Sequence, residues 1–251
     1  MKSRIVIKLG TGVLSRAGGR ALDRVQFRRL TEEIAGLHEA GHSCILVSSA
    51  AIAAGVRLLG LAKRPGDLPG KQACAAVGQP ELMRLYAASF RPHGFHVAQL
   101  LLTHGDIDSR MHRTNARNTI DRLLSSRNMI PIINENDSIA VEELRFGDND
   151  RLSAEVAILI RADHLIILTS VDGLQDADGQ RIAEIGSVEE AFRHVRSDKG
   201  EESVGGMKTK LEAARAAVRA KIPVHILDGR QPGQIAAALS GDDVGTRFLV
   251  S

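Results

Sequence analysis

Short apolar runs alternate with longer amphipathic stretches along the whole chain. Ile5-Val6-Ile7 is an apolar run of strand length, and residues 23–40 then place Val25, Leu30, Ile34 and Leu37 at helical spacing. Cys44-Ile45-Leu46-Val47 predicts the next strand, and an Ala-rich helix starts at Ala50. Residues 71–90 read as a helix whose internal Gly78 and Pro80 predict a kink or a split. A strand over 97–102 and a long helix over 106–126 follow. Met129-Ile130-Pro131-Ile132-Ile133 is again a strand, with the proline expected near its start or at a bulge.

The second half keeps the rhythm. A helix is predicted over 150–162, a strand over 165–168, a helix over 205–221, a strand over 224–227 and a short helix over 232–239. Its strand runs are apolar nearly throughout, as parallel strands covered by helices on both faces require. The pattern predicts an α/β doubly wound architecture with a mainly parallel central sheet. With no repeat, low-complexity segment or linker, the chain is expected to form one continuous domain, 1–251. Two lobes are expected, about 1–150 and about 151–251.

Composition narrows the class. With 43% hydrophobic and 25% charged residues, 251 residues suffice for a full core. The net charge of +3 invites a nucleic-acid reading, but the basic residues are spread along the chain. The densest group, Arg110, Arg113, Arg117, Arg122 and Arg127, has helical periodicity and reads as a solvated face. A single Tyr and no Trp leave little for stacking on bases, so no nucleic-acid partner is expected. Cys44 and Cys74 sit among apolar or small residues, as buried thiols do. Neither a signal peptide nor a bilayer-length apolar run is visible, so no membrane association and a cytoplasmic location are expected. The nine histidines lack metal-ligand spacing and no metal site of the chain's own is expected.

Candidate chemistry gathers where apolar runs end. Lys8-Leu9-Gly10-Thr11-Gly12 joins a cation to glycines whose N–H groups can cradle a phosphate, although a plain turn looks the same. Ser48-Ser49 precedes the Ala-rich helix and can either cap it or face a substrate carboxylate. Gly205-Gly206-Met207-Lys208-Thr209-Lys210 is expected to open a helix, a good place for a nucleotide's phosphates. Asn134-Glu135-Asn136-Asp137, with Gly147-Asp148-Asn149-Asp150 close behind, follows a strand directly. Ligands of open α/β sheets bind at such strand ends. There Asp137 can accept from an ammonium while the asparagines donate to a carboxylate, a set that suits a zwitterion.

Taken together and in this order, these segments resemble the amino-acid kinase family. The resemblance runs from Ile5 to Phe248 and is carried by KLGT at 8–11, AIAAG at 51–55 and KQACAAVGQ at 71–79. NARNT at 115–119, INEND at 133–137, GDND at 147–150 and GGMKTK at 205–210 complete it. It implies a three-layer αβα sandwich and ATP-dependent phosphorylation of the side-chain carboxylate of L-glutamate to L-glutamyl 5-phosphate, the first step of proline biosynthesis. Lys8, Asp150 and Lys210 would be catalytic, the lysines holding the moving phosphoryl group and Asp150 orienting them. Ser49, Asn134, Asp137 and Asn149 would bind glutamate. Lys8, Gly10, Gly12, Thr169, Ser170 and the run Val204, Gly205, Gly206, Met207, Lys208, Thr209 and Lys210 would line the ATP site, with Mg²⁺ bridging phosphates. The first lobe would bind the substrate and the second the nucleotide.

The resemblance also implies a homo-oligomer, proline as a feedback inhibitor and functional coupling to glutamyl phosphate reductase. The chain ends at Ser251, so a short form without the PUA domain that many members append is expected. Three positions depart from the family pattern: Ala50 stands where glycine is usual, Thr169-Ser170 where Thr-Asp is common, and Ser203-Val204 where Gly-Thr precedes the GGM segment. A glutamate side chain, with a pKa of about 4.3, is already a nucleophile at neutral pH, so no general base is required. In-line positioning and cations around the phosphoryl oxygens suffice. The alternatives are a sibling kinase for another small acid and a non-catalytic binding protein on the same fold. A free ammonium opposite Asp137 argues against acetylated or phosphorylated acceptors, and joint retention of Lys8, Asp150 and Lys210 argues against a pure binder.

Overall fold

The computed structural model describes residues 2–16, 21–140, 149–194 and 201–250, with the backbone alone for 201–205. The strands are β1 (Arg4–Leu9), β2 (Ser43–Ser48), β3 (His96–Leu102), β4 (Met129–Glu135), β5 (His164–Thr169), β6 (Glu184–Ile185), β7 (Val224–Asp228) and β8 (Thr246–Phe248). They form one sheet in the order β3-β4-β2-β1-β5-β7-β8-β6. All pairings through β7 are parallel, and β8 runs antiparallel to β7. The first four strands thus occupy one half of the sheet and the last four the other, meeting where β1 pairs with β5.

The helices are α1 (Thr11–Leu14), α2 (Arg24–Glu39), α3 (Ala51–Leu58), α4 (Leu68–Phe90), α5 (His104–Asp108), α6 (Arg110–Leu124), α7 (Asp150–Leu159), α8 (Val188–Ala191), α9 (Glu201–Arg219) and α10 (Gln234–Ser240). They cover both faces, completing the three-layer αβα sandwich. Strand alternation sorts the core. Ile5, Ile7 and Leu9 of β1 join Phe27, Leu30 and Ile34 of α2 and Leu82, Tyr86 and Phe90 of α4 on one face. Val6 joins Ile120 of α6, Leu152 and Val156 of α7 and Leu211 and Ala214 of α9 on the other. Lys8, two residues after Val6, therefore points into the layer that contains α7 and α9.

Several boundaries differ from expectation for local reasons. Val25 is exposed; the buried face of α2 is built on Phe27, Leu30, Thr31, Ile34, Ala35 and Leu37. The stretch expected as one helix over 106–126 is split at Ser109, whose extended backbone ends α5 and whose side chain accepts from His112 N–H to start α6. Within this stretch Ile120 is fully buried, whereas Met111 is exposed. Pro131 needs no bulge: β4 pairs with β2 only from Ile132 onward, so the proline has a strand partner on one side only. Glu201 begins α9, so Gly205-Gly206 lies one turn inside the helix rather than opening it. Cys44 and Cys74 are buried free thiols, and among the described residues no helix is long and apolar enough to cross a membrane.

Pro80 lies within α4, which nonetheless runs unbroken over Leu68–Phe90. Two residues before it, Gly78 lies where α3 and α4 cross in backbone contact. A Cβ on Gly78 would overlap the carbonyl of Ala51, and one on Gly55 would overlap the carbonyl of Cys74. The AIAAG and KQACAAVGQ segments are two halves of this crossing. Gly78→Ala is accordingly expected to destabilise the fold by about 1–3 kcal/mol or more, as overpacking does, even though alanine is the better helix former. Thermal unfolding measures it; an unchanged midpoint would show that the helices are not in contact.

Candidate active site

The parallel strands end along one edge of the sheet. The register sets Leu9 beside Ser48 and Leu168, and Thr169 beside Asp228, so these strand ends lie side by side. Lys8 sits one residue before that edge, with Val47 and Ile167 as its neighbours. Asp150 starts α7 and Lys210 lies in the third turn of α9, both in the layer that Lys8 faces.

These three side chains meet. Lys8 Nζ is 2.7 Å from Asp150 Oδ1, and Lys210 Nζ is 3.1 Å from Asp150 Oδ2. Lys8 and Asp150 are essentially inaccessible, at 1% and 0% exposure, and Lys210 is nearly so. Charges are rarely buried this completely unless paired, because desolvation costs several kcal/mol per ion. Thr209 Oγ1 donates to Asp150 Oδ2 at 2.9 Å, and Lys210 Nζ also donates to the Gly206 carbonyl at 2.9 Å. Two ammonium groups share one carboxylate, so the triad taken alone carries a charge of +1, which suits it to a polyanion. At Gly10 a Cβ would lie 3.3 Å from Lys8 Nζ, so the turn stays open beside the ammonium.

Next to the triad lies a file of side-chain amides. Asn149 occupies the N-cap position of α7 without a side-chain capping bond, and donates through Nδ2 to the Ser48 carbonyl at 2.7 Å and to Asn134 Oδ1 at 2.7 Å, with a longer 3.3 Å contact to Ser49 Oγ. Asn134 Nδ2 donates to Gln79 Oε1 at 2.8 Å, and Gln79 Nε2 donates to Gln99 Oε1 at 2.8 Å. The Ser48 hydroxyl bonds Tyr86 in the core behind. Ser49, Asn134 and Asn149 are thus brought together, as expected. Asn149 spends both N–H groups inside the protein, so of the two asparagines only Asn134 keeps an N–H without a partner among the described residues.

Asp137 stands on the far side of this file. It lines a cavity of about 220 Å³ with Gln79, Pro80, Gln99, Leu101 and Glu135. Burial, with the Glu135 carboxylate adding to it, pushes its pKa up to about 6, against a weaker pull from Arg64.

Of the expected nucleotide residues, Thr169 ends β5 and Ser170 follows it, and a Cβ on Gly12 would lie 3.7 Å from Ser170 Oγ. Asp228 and Arg230, absent from the sequence reading, close this corner: Arg230 pairs with Asp228 and donates to the Ser170 carbonyl. Met207 packs against the core and Lys208 is exposed. Val204 and Gly205 are described as helical backbone only, and Gly147 and Asp148 lie outside the described residues. Gln79 was also overlooked; the signal was an amide embedded in the otherwise apolar run Ala75-Ala76-Val77-Gly78-Gln79-Pro80.

Ala50, the departure from glycine, has φ 81° and ψ 9°, a left-handed conformation. Alanine there stores roughly 1–2 kcal/mol of backbone strain directly beside Ser49.

A profile of the Amino acid kinase family matches residues 3–228, and the chain belongs to that family. Glutamate 5-kinase of Thermus thermophilus is 47% identical, over 98% of this chain and 67% of that protein. Glutamate 5-kinase of Trichlorobacter lovleyi is 45% identical, over 98% of this chain and 67% of its own length. The chain spans about two thirds of the length of these curated relatives. Among solved structures, N-acetylglutamate synthase of Neisseria gonorrhoeae superposes with a TM-score of 0.69 at 16% identity, over 99% of this chain and 62% of that one. UMP kinase of Bacillus anthracis superposes at 0.63 and 16% identity, over 99% of this chain and 96% of that one. Both share the fold.

If Asp137 receives a substrate ammonium, it must be ionised. Its raised pKa then makes kcat/KM for an amino-acid substrate rise with pH and level off above about 6, while kcat, which reports the bound complex, changes little. A pH–rate profile decides; a flat kcat/KM across that interval would remove Asp137 from substrate binding.

Proposed function

We propose that this chain transfers the γ-phosphoryl group of ATP to the side-chain carboxylate of L-glutamate, giving L-glutamyl 5-phosphate and ADP, the step that opens proline biosynthesis. The observation that carries it is the buried Lys8–Asp150–Lys210 triad at the sheet edge, in a chain whose relatives at 45–47% identity are glutamate 5-kinases.

A glutamate carboxylate oxygen attacks the γ-phosphorus as the bond to the β-phosphate oxygen breaks, and that electron pair leaves with ADP. The nucleophile is already deprotonated, so no protein base is required. Lys8 and Lys210 neutralise charge on the moving phosphoryl oxygens, and Asp150 fixes both ammonium groups so that no reorganisation is needed during transfer. Thr209 steadies the same carboxylate. Asp137 and the cluster of Ser49, Asn134 and Asn149 hold the amino-acid end. Gly10, Gly12, Thr169, Ser170 and the 204–210 segment line the nucleotide site, so the two halves of the sheet divide the substrates between them.

Among the described residues there is no cluster of carboxylates or histidines able to hold a metal ion, and both Asp150 oxygens face lysines. Mg²⁺ would therefore enter on the phosphates of ATP, where it neutralises charge.

With ATP, Mg²⁺ and L-glutamate, the protein should form an acyl phosphate that hydroxylamine traps as the hydroxamate. Lys210→Ala should collapse kcat with little change in glutamate affinity. Asp137→Ala should raise KM for glutamate by about 30- to 1,000-fold and leave KM for ATP near the parent value. Turnover of N-acetylglutamate or aspartate with glutamate inert would refute the substrate, and parental kinetics in both variants would refute the chemistry.

A further inference from the structure

We infer that Gln79 is a positioning residue: its Oε1 steadies Asn134 within the buried amide file, in which Asn149 presents only its carbonyl oxygen to the ligand, selecting an ammonium-bearing substrate. The inference deepens the glutamate kinase function proposed above and rests on it.

A file of side-chain amides can in principle point either way, because each carries an oxygen at one corner and an NH₂ at the other. Two backbone groups remove that freedom here. The Ser48 carbonyl can only accept, so Asn149 must offer it Nδ2, at 2.7 Å. The Glu135 N–H can only donate, so Asn134 must offer it Oδ1, at 2.9 Å. These constraints agree at the Asn149–Asn134 bond and pass outward, so Asn134 Nδ2 meets Gln79 Oε1 and Gln79 Nε2 meets Gln99 Oε1.

Counting donors and acceptors shows what remains for a ligand. Both Asn149 N–H groups are used, and its Oδ1 is buried with no hydrogen-bond partner among the described residues. An unmet buried carbonyl costs about 1–3 kcal/mol, which a ligand donor would recover. Asn134 Oδ1 already accepts from Glu135 and Asn149, while one of its two N–H groups is spent on Gln79 and the other is left over. The Ser49 hydroxyl has no acceptor among the described residues and keeps its hydrogen to donate. One acceptor lies next to two donors, which matches the ammonium and carboxylate of an α-amino acid. Gln79 Oε1 is the side-chain group that pins the Asn134 NH₂. Without it Asn134 is held only by the Glu135 N–H and by Asn149, and a looser Asn134 weakens one of the two bonds, to Asn134 and to the Ser48 carbonyl, that orient Asn149.

The test compares binding of L-glutamate with glutarate, which has both carboxylates and no ammonium, by calorimetry on the full chain. Gln79→Leu should lower the preference for glutamate by roughly tenfold, the worth of one hydrogen bond to a charged group, while ATP affinity stays close to the parent and the melting temperature falls modestly, because a buried Asn134 N–H loses its acceptor. Gln79→Glu still offers Asn134 an acceptor, and exposed Gln99 can turn its NH₂ towards it, so this variant should keep the preference. If Gln79→Leu does not fold, Gln79→Met, of similar length and with no strong acceptor, carries the same expectation. An unchanged preference in Gln79→Leu, or equal losses in the Leu and Glu variants, would overturn the positioning role. Hydroxamate formation by the parent is scored separately: glutamate turnover with an unchanged preference defeats the relay alone, and absent turnover with a lost preference defeats the kinase function alone.

Discussion

The carboxylate of Asp150 holds two lysine ammonium groups that the chain brings from far apart, one from β1 and one from α9, the helix that precedes β7. Each lysine binds a different oxygen, at 2.7 and 3.1 Å. Burial makes the arrangement mandatory: removing one member of a buried ion pair typically costs about 3–5 kcal/mol, because the survivor stays desolvated and uncompensated. The positions of β1, the start of α7 and the middle of α9 are therefore tied to one another through a single side chain. The same tie keeps positive charge fixed at the sheet edge before any substrate arrives, which is the condition for electrostatic catalysis.

Around that tie the protein accepts local costs. Ala50 holds a left-handed backbone beside Ser49 where glycine would be unstrained. Asn149 keeps a buried oxygen unmet. Burial and a neighbouring carboxylate push the Asp137 pKa up to about 6. Each falls at the same edge of the sheet, and the unmet Asn149 oxygen and the buried Asp137 carboxylate are of the kind that a bound ammonium would relieve. The close crossing of α3 and α4 through Gly55 and Gly78 supports this by bringing Gln79 against β4, where it meets Asn134.

Much of this was legible in the sequence because it follows from period and punctuation. Apolar strand runs and glycine turns predicted the parallel sheet with helices on both faces, while the three-layer sandwich and the joint role of Lys8, Asp150 and Lys210 came from the resemblance of the ordered motifs to the amino-acid kinase family. Side-chain direction was less legible. Val25 and Ile120 both fit a helical period, yet one is exposed and the other buried, since the packing partner rather than the period chooses the face. The break at Ser109 depends on one side chain capping the next helix. Donor and acceptor polarity was invisible, because composition reveals an asparagine but not which end of its amide is already committed. Hence Asn149 read as a donor when it has only an oxygen to give, and Gln79, the last residue of the KQACAAVGQ motif, was given no role of its own.

The most direct test of the central claim is steady-state kinetics of Asp150→Asn, which keeps the shape of the side chain and removes the charge that the two lysines share. Binding of ATP and glutamate, checked by calorimetry, shows whether the variant still forms the site. The predicted result is a lower melting temperature with both substrates still bound and kcat reduced on the order of 10²–10³-fold or more. A folded Asp150→Asn variant with parental kcat would contradict it.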